Sequence, residues 1–481
     1  MIRKKVAVTV GLLGLLVLAE LGALYQERCR LRWAIADKIE QMGTPVDEPP
    51  ADIRAFLKQA KAADAISDPL ARCLAFPDLP RNKWPAGLAR AHCNYAFGPR
   101  IVGKQIRQLL DRGATAELDA LFRKDLDRHF STTEFSEVIH VDFQDIDGSQ
   151  ESNLLTARWL TKAPDSPFAL TARARYFQMV GVAAGGKKTI QEMSPESLRV
   201  RSENAERSIP LYRRALLLEP RLLPAYVGLI SVARMASKPE VAQAAFEQGM
   251  KVDSGCVSLA DAEMFALRPE PGGSYEPMYA FFEQLKSDSS RRPLLLLSMA
   301  RPFIAQSNAA RHAKKYEESR QYLLGASERS TAAEALEGLA STLDYFREVP
   351  ERWNILVYLL EASRFHVPDR WPGERLGMDL RKLAADPGWS VIVLKRHIAA
   401  DPGDAFAILL LGRSYQKNHM APEAEQQYLL AAKDSKQRSQ ALVALFDLAA
   451  RQCQHEKAHR YLALIRKEFP QDVAEYHLED L

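Results

Sequence analysis

The amino-acid sequence predicts an all-α protein built of stacked helical hairpins, and three observations lead there. From Leu154 onward, apolar residues recur with helical period in blocks of roughly 12–16 residues, joined by short Pro, Gly or Asp punctuation. Two distant segments carry small and aromatic residues in the same register: Leu411, Gly412, Tyr415, Ala424, Tyr428 and Ala431 in 405–438, and Tyr226, Leu229, Ala242, Phe246 and Gly249 in 223–254. Period-two alternation, the mark of a half-buried strand, is absent from the sequence. A single hairpin cannot bury its apolar face, so neighbours must stack, and 481 residues exceed one compact core unless that core is elongated.

The chain opens with Arg3, Lys4 and Lys5, a cytoplasmic leader over 1–5, followed by an apolar stretch from Val6 to Tyr25. At about 1.5 Å per residue that stretch is as long as a bilayer's hydrocarbon is thick, which predicts a transmembrane signal anchor over 6–25. Two alternatives use the same residues. A cleavable signal peptide would have to be cut after Val17-Leu18-Ala19, and a lipoprotein anchor at Cys29 would have to tolerate Gln26, Glu27 and Arg28 before it. Arg28, Arg30 and Arg32 balance the charges ahead of the span, so orientation rests on a leader too short to fold. The expectation is a single-pass inner-membrane protein with the bulk of the chain periplasmic.

The remaining blocks follow in order. Residues 26–150 read as a helical segment: ERCRLRWAIADKIEQMG, a TPVDEPP break, and an amphipathic helix from Ala51 to Ile66 that Asp52 is placed to cap. Within it, Cys73 and Cys93 bracket the loop FPDLPRNKWP. Closing that loop as a disulfide would contribute about 3 kcal/mol in the chain-entropy picture, while two buried thiols remain the other reading. Helical periodicity resumes from Ile101 to Phe130, and HVDFQDIDGSQE (140–151) reads as a turn. A helical repeat domain is expected over 151–290, interrupted at LRPEPGGSY, then a helical connector over 291–374 and C-terminal repeats over 375–481.

In the C-terminal block the frame recurs once more. Ala424 maps onto Ala458 at the 34-residue period, with Pro470, Pro402 and Pro220 at equivalent closing positions. These positions resemble the tetratricopeptide repeat. A second resemblance covers 70–290: Trp159, Pro164, Ser166, Ala174, Gly181, Pro220, Leu267-Arg268-Pro269, Gly272-Gly273-Ser274 and Met278 are similar to the uncharacterised bacterial family called domain of unknown function 4034. Pro271 and Gly185 depart from that pattern. The resemblance implies a bacterial source and an exported or tethered helical body, and brings no catalytic residues.

Composition excludes some functions. Hydrophobic residues at 47% and charged residues at 26% are ordinary globular values, and a net charge of +4 with no basic run argues against nucleic-acid binding. His455-Glu456-Lys457-Ala458-His459 spells a zinc-hydrolase motif, with third ligands available only from His477, Glu475 or Glu479. Ala458 already serves the repeat frame, so an ordinary helix start is the simpler account. GVAAGGKKT (181–189) lacks both the Ser/Thr and the preceding strand of a phosphate loop, and its glycines read as a helix end. Asp145, Asp147 and Gly148 mimic a calcium loop, with Phe143 and Leu154 where carboxylates are needed.

The function expected is therefore protein–protein interaction in the bacterial cell envelope, without catalysis, cofactor, metal or small-molecule substrate. The candidate partner groove is Arg413, Gln416, Lys417, Ser231, Arg234, Asp447 and Arg451, where the cations suit an acidic or carboxylate-bearing peptide. An immunity-type protein neutralising a secreted effector is the nearest alternative. A zinc-dependent hydrolase using His455, Glu456 and His459 is the alternative of a different class.

Overall fold

A computed structural model describes residues 48–132, 136–186, 188–269, 274–346, 349–366 and 368–471. These residues form α-helices, one 3-10 turn and connections, with no strand among them. None of the described helices is long and apolar enough to cross a membrane, and the span expected over 6–25 lies outside the described residues. The chain divides into two compact units. One holds the described residues of Met1–Ala65, Arg347–Leu360 and Val367–Leu481, the other those of Ile66–Phe346 and Glu361–His366. The segment expected as one block over 26–150 is thus shared between units.

In the first unit the expected register is met by packing. Helices Ala405–Lys417 and Ala421–Ala431 form one hairpin, Arg438–Arg451 and His455–Glu468 the next. Leu411, Tyr415, Ala424, Tyr428, Ala431 and Ala458 are all buried, and Gly412 lets the Tyr428 ring lie against its backbone. Helix Pro387–Ala400 precedes them, capped by Asp386, whose carboxylate accepts from Trp389 N at 3.0 Å. Helix Ala51–Asp64 packs on it from the far end of the sequence. The Trp389 indole donates to Asp64 at 2.7 Å, Arg396 pairs with the same carboxylate at 2.9 Å, and Lys61 pairs with Asp386. Pro50, not Asp52, is the N-cap of that helix, and Asp52 sits in its first turn.

In the second unit, helices Pro167–Gly185 and Pro195–Leu218 lie together, followed by the hairpins Leu223–Met235 with Pro239–Val252 and Arg301–His312 with Tyr316–Ser327. Ser149, Ser166 and Ser194 cap the helices they precede, each accepting from the N–H three residues on. Phe122 centres an aromatic knot, its ring 5.0, 5.2 and 5.4 Å from those of Phe143, Trp159 and Phe168. The periodicity read as continuous from Ile101 to Phe130 is two helices, Gly103–Asp111 and Thr115–Ser131, because Gly113 turns left-handed at φ +73°. The stretch expected as a turn over 140–151 starts inside the single helical turn Val138–Val141, after which the chain loops to Gln150.

One turn geometry closes hairpin after hairpin. Ser237, Lys314, His419 and Cys453 adopt left-handed φ of 55°, 60°, 59° and 57°. The N–H of the next residue then reaches back to the helix: Lys238 to Ala233 O at 2.8 Å, Lys315 to Ala310 O at 2.8 Å, Met420 to Tyr415 O at 2.9 Å and Gln454 to Ala449 O at 2.9 Å. This is the Schellman closure, here made without glycine, so the usual sequence signal is missing. It marks 301–327, expected only as a connector, as a hairpin of the same make.

The Pro-rich loop is fastened at several points within the second unit. Cys73 is disulfide-bonded to Cys93, and Arg364 donates to Cys73 O and to the Asp78 and Glu361 carboxylates, each at 2.9 Å. The Trp84 indole donates to Ser327 O at 2.8 Å.

Candidate functional site

The residues expected to line one groove fall into both units. In the first, the sides of helices Ala405–Lys417 and Arg438–Arg451 carry a connected polar row. The Tyr428 hydroxyl donates to Gln416 Oε1 at 2.6 Å, which orients the amide so that its nitrogen donates to Asp447 at 2.7 Å. Arg451 Nε donates to both Asp447 oxygens at 3.0 and 2.8 Å, and Arg413 donates to Gln440 at 3.1 Å. Lys417 is exposed one residue beyond Gln416. Arg413, Gln416, Asp447 and Arg451 are half-buried and already hydrogen-bonded, so a partner meeting them incurs little further loss of rotamer freedom.

Ser231 and Arg234 belong to the second unit. Arg234 donates to Ala262 O at 2.6 Å and pairs with Glu263 at 3.4 Å, so it ties its helix to Val257–Ala266. Burial lowers its guanidinium from the ordinary value, partly offset by Glu263.

The zinc-hydrolase pattern is the first turn of helix His455–Glu468. His455, Glu456 and His459 are exposed, Ala458 is buried as the repeat contact, and Lys457 pairs with Glu425. The third ligands proposed for it lie outside the described residues. Gly185 and Gly186 end a long helix, as expected, and Asp147 accepts from Ser149 N at 3.0 Å and Ser152 Oγ at 2.7 Å, which makes its loop a self-satisfied turn.

A cluster that the sequence reading missed lies in the second unit. Glu137 leads into the turn Val138–Val141 with φ +73°, a left-handed conformation that a long side chain rarely adopts. Its carboxylate accepts from Val257 N at 3.0 Å, Ser258 N at 3.2 Å and Ser258 Oγ at 2.7 Å at the start of helix Val257–Ala266. Cys256 Sγ lies 3.7 Å from Glu137 Oε2 and 3.5 Å from His140 Nε2, and His140 Nε2 lies 3.6 Å from Glu137 Oε2. Beside them His129 joins Asp253 at 3.0 Å and accepts from Glu137 N at 2.9 Å, while Arg292 donates to Asp253 and to His129 O.

Protonation follows from burial. Desolvation pushes the His140 imidazole down to about 4, so it is neutral at pH 7. Desolvation would also raise the Glu137 carboxyl, but the nearby imidazoles and the Ser258 and Val257 donors outweigh it and hold it below the ordinary value. The Val257 and Ser258 donors favour the ionised Glu137 carboxylate. Burial and then the Glu137 carboxylate push the Cys256 thiol well above its usual range, which rules against an activated nucleophile. The one local signal was Glu137 three residues before His140; Cys256 is remote in sequence and no spacing pointed to it.

No family model and no curated protein matches the chain. Among solved structures it is similar to yeast Tom70, at 13% identity and a TM-score of 0.32 over 95% of this chain and 99% of that one. It is also similar to PilF of Pseudomonas aeruginosa, at 13% identity and a TM-score of 0.20 over 64% and 97% of the two chains. The Cut9–Hcn1 hetero-tetramer of the APC/C matches at 14% identity and a TM-score of 0.26, covering 87% of each chain. At such scores these likenesses carry no argument, and the architecture rests on the hairpin geometry above. The resemblance of 70–290 to domain of unknown function 4034 gains no support from them.

Proposed function

We propose that this chain is a non-catalytic helical-repeat protein that binds another protein through the polar row of its C-terminal hairpins. The observation that carries the reading is the Tyr428–Gln416–Asp447–Arg451 chain of hydrogen bonds flanked by Arg413 and Lys417. A row held in place on helix faces, with cations beside it, is built to receive a peptide or helix bearing carboxylates. The apolar stretch 6–25 behind Arg3, Lys4 and Lys5 supports tethering to a membrane, with the helical body on the extracytoplasmic side.

The test is in-cell cross-linking and quantified capture with the full chain against Arg413→Glu/Lys417→Glu, monitored alongside helix content. The expected result is loss of the main captured protein from the charge-reversed variant at unchanged helicity. Equal capture would refute the assignment of this face. Alkaline phosphatase fused after residue 40 is expected to be active, and an inactive fusion would refute the placement.

A further inference from the structure

We propose that Glu137, His140 and Cys256 form a binding site for a zinc ion. The argument begins with donor type. A thiol, an imidazole and a carboxylate are the ligand set that a borderline divalent ion such as zinc takes, and softer or harder metals favour more uniform sets. These three side chains present one donor atom each, all within 4.8 Å of one another.

Geometry narrows it further. Zinc bonds of about 2.3 Å to sulfur and about 2.0–2.2 Å to nitrogen and oxygen, at tetrahedral angles, demand S···N and S···O edges of about 3.5–3.6 Å and an N···O edge of about 3.4 Å. The observed edges are 3.5 Å for Cys256–His140, 3.7 Å for Cys256–Glu137 and 3.6 Å for His140–Glu137. The three atoms therefore already outline one face of a zinc tetrahedron, and settling onto the ion requires shifts of only a few tenths of an ångström. The fourth vertex is left to a water molecule.

The donors also have outer support: Val257 N fixes one Glu137 oxygen and Ser258 the other, and His129 accepts the Glu137 N–H while bonded to Asp253, to which Arg292 donates. Charge closes as well. Binding removes the thiol proton of Cys256 to solvent, and the resulting thiolate and the Glu137 carboxylate together neutralise the dication in a buried place.

The test uses the full-length chain, stripped with a chelator and titrated with cobalt(II) as a spectroscopic stand-in for zinc. In a Cys29→Ser/Cys453→Ser background, Cys256 is the one thiol outside the Cys73–Cys93 bond, so a thiolate-to-cobalt charge-transfer band can come from it alone. The expected result is that band at one equivalent, bleached by zinc, with one proton released. His140→Gln is expected to weaken metal binding on the order of tenfold or more, and His455→Gln/His459→Gln to leave it unchanged. Absence of the band in the thiol-depleted background, or loss of metal through His455 and His459 instead, overturns the proposal. Because the deciding readout leaves all three ligands in place, misfolding of a ligand variant does not blur it.

Discussion

Gly228→Ala tests whether the repeat packing is as rigid as its distances say. A Cβ at Gly228 would lie 2.2 Å from Tyr212 Cζ and 2.4 Å from its hydroxyl oxygen, where carbon contacts need about 3.5 Å or more. The ring has no room to retreat: Tyr212 is 1% exposed, and its hydroxyl donates to Gln178 at 2.7 Å. Overpacking costs about 1–3 kcal/mol, and displacing the ring strands a buried hydrogen-bonding pair for about 1–3 kcal/mol more. Alanine recovers about 1 kcal/mol of helix propensity. The balance is a loss of about 3 kcal/mol in this unit. Gly338→Ala is the matched control, because its methyl would meet only Leu323 carbons at 3.4 and 3.5 Å. That change is expected to stabilise by about 0.5–1 kcal/mol. Urea unfolding of the full chain, followed by circular dichroism, reads both. In a Tyr212→Leu background the penalty of Gly228→Ala should vanish. A parent-like Gly228→Ala, or a penalty that survives removal of the ring, would refute the rigid glycine–tyrosine contact.

Two further outcomes are expected. Burial, with His366 and Arg364 adding to it, lowers the His92 imidazole from 6.5 to about 3, while its Nδ1 lies 2.9 Å from Thr331 Oγ1 and its ring stacks on Phe365. The unfolded chain then binds the proton first, so stability present above pH 6.5 is lost as pH falls toward 3. The loss is about 2 kcal/mol at pH 5, and His92→Phe should flatten that slope in denaturant melts at pH 7 and pH 5. An equally steep slope in the variant would show that His92 is not the group responsible. Lys314→Gly relieves a left-handed turn at an exposed position and should stabilise by about 0.5–1 kcal/mol, read as a higher urea midpoint; a lower midpoint would refute strain at that closure.

The hairpins with glycine, alanine and tyrosine in register were legible because a helix–helix contact imposes its own period: Gly412 must be small where Tyr428 crosses. The hairpin Arg301–His312 with Tyr316–Ser327 was not, since its turn uses Lys314 where a glycine would have announced it. Asp447 and Arg451 stand four apart on one helix, a pairing that spacing alone suggests, whereas the Gln416–Asp447 bond across two helices and the partners of Arg234 on Val257–Ala266 follow no local pattern.

By itself the sequence determined what local periodicity can encode: an all-helical chain, two segments with small and aromatic residues in one repeat register, and an apolar stretch over 6–25. Only the tertiary structure decided that Trp389 clasps Asp64, that Arg364 fastens the Cys73 loop, and that Cys256 reaches Glu137 and His140. Helical spacing is a relation among neighbours, repeated until it becomes visible. A single contact between residues a hundred or more positions apart repeats nothing, and its stabilisation appears only once the chain has closed around it.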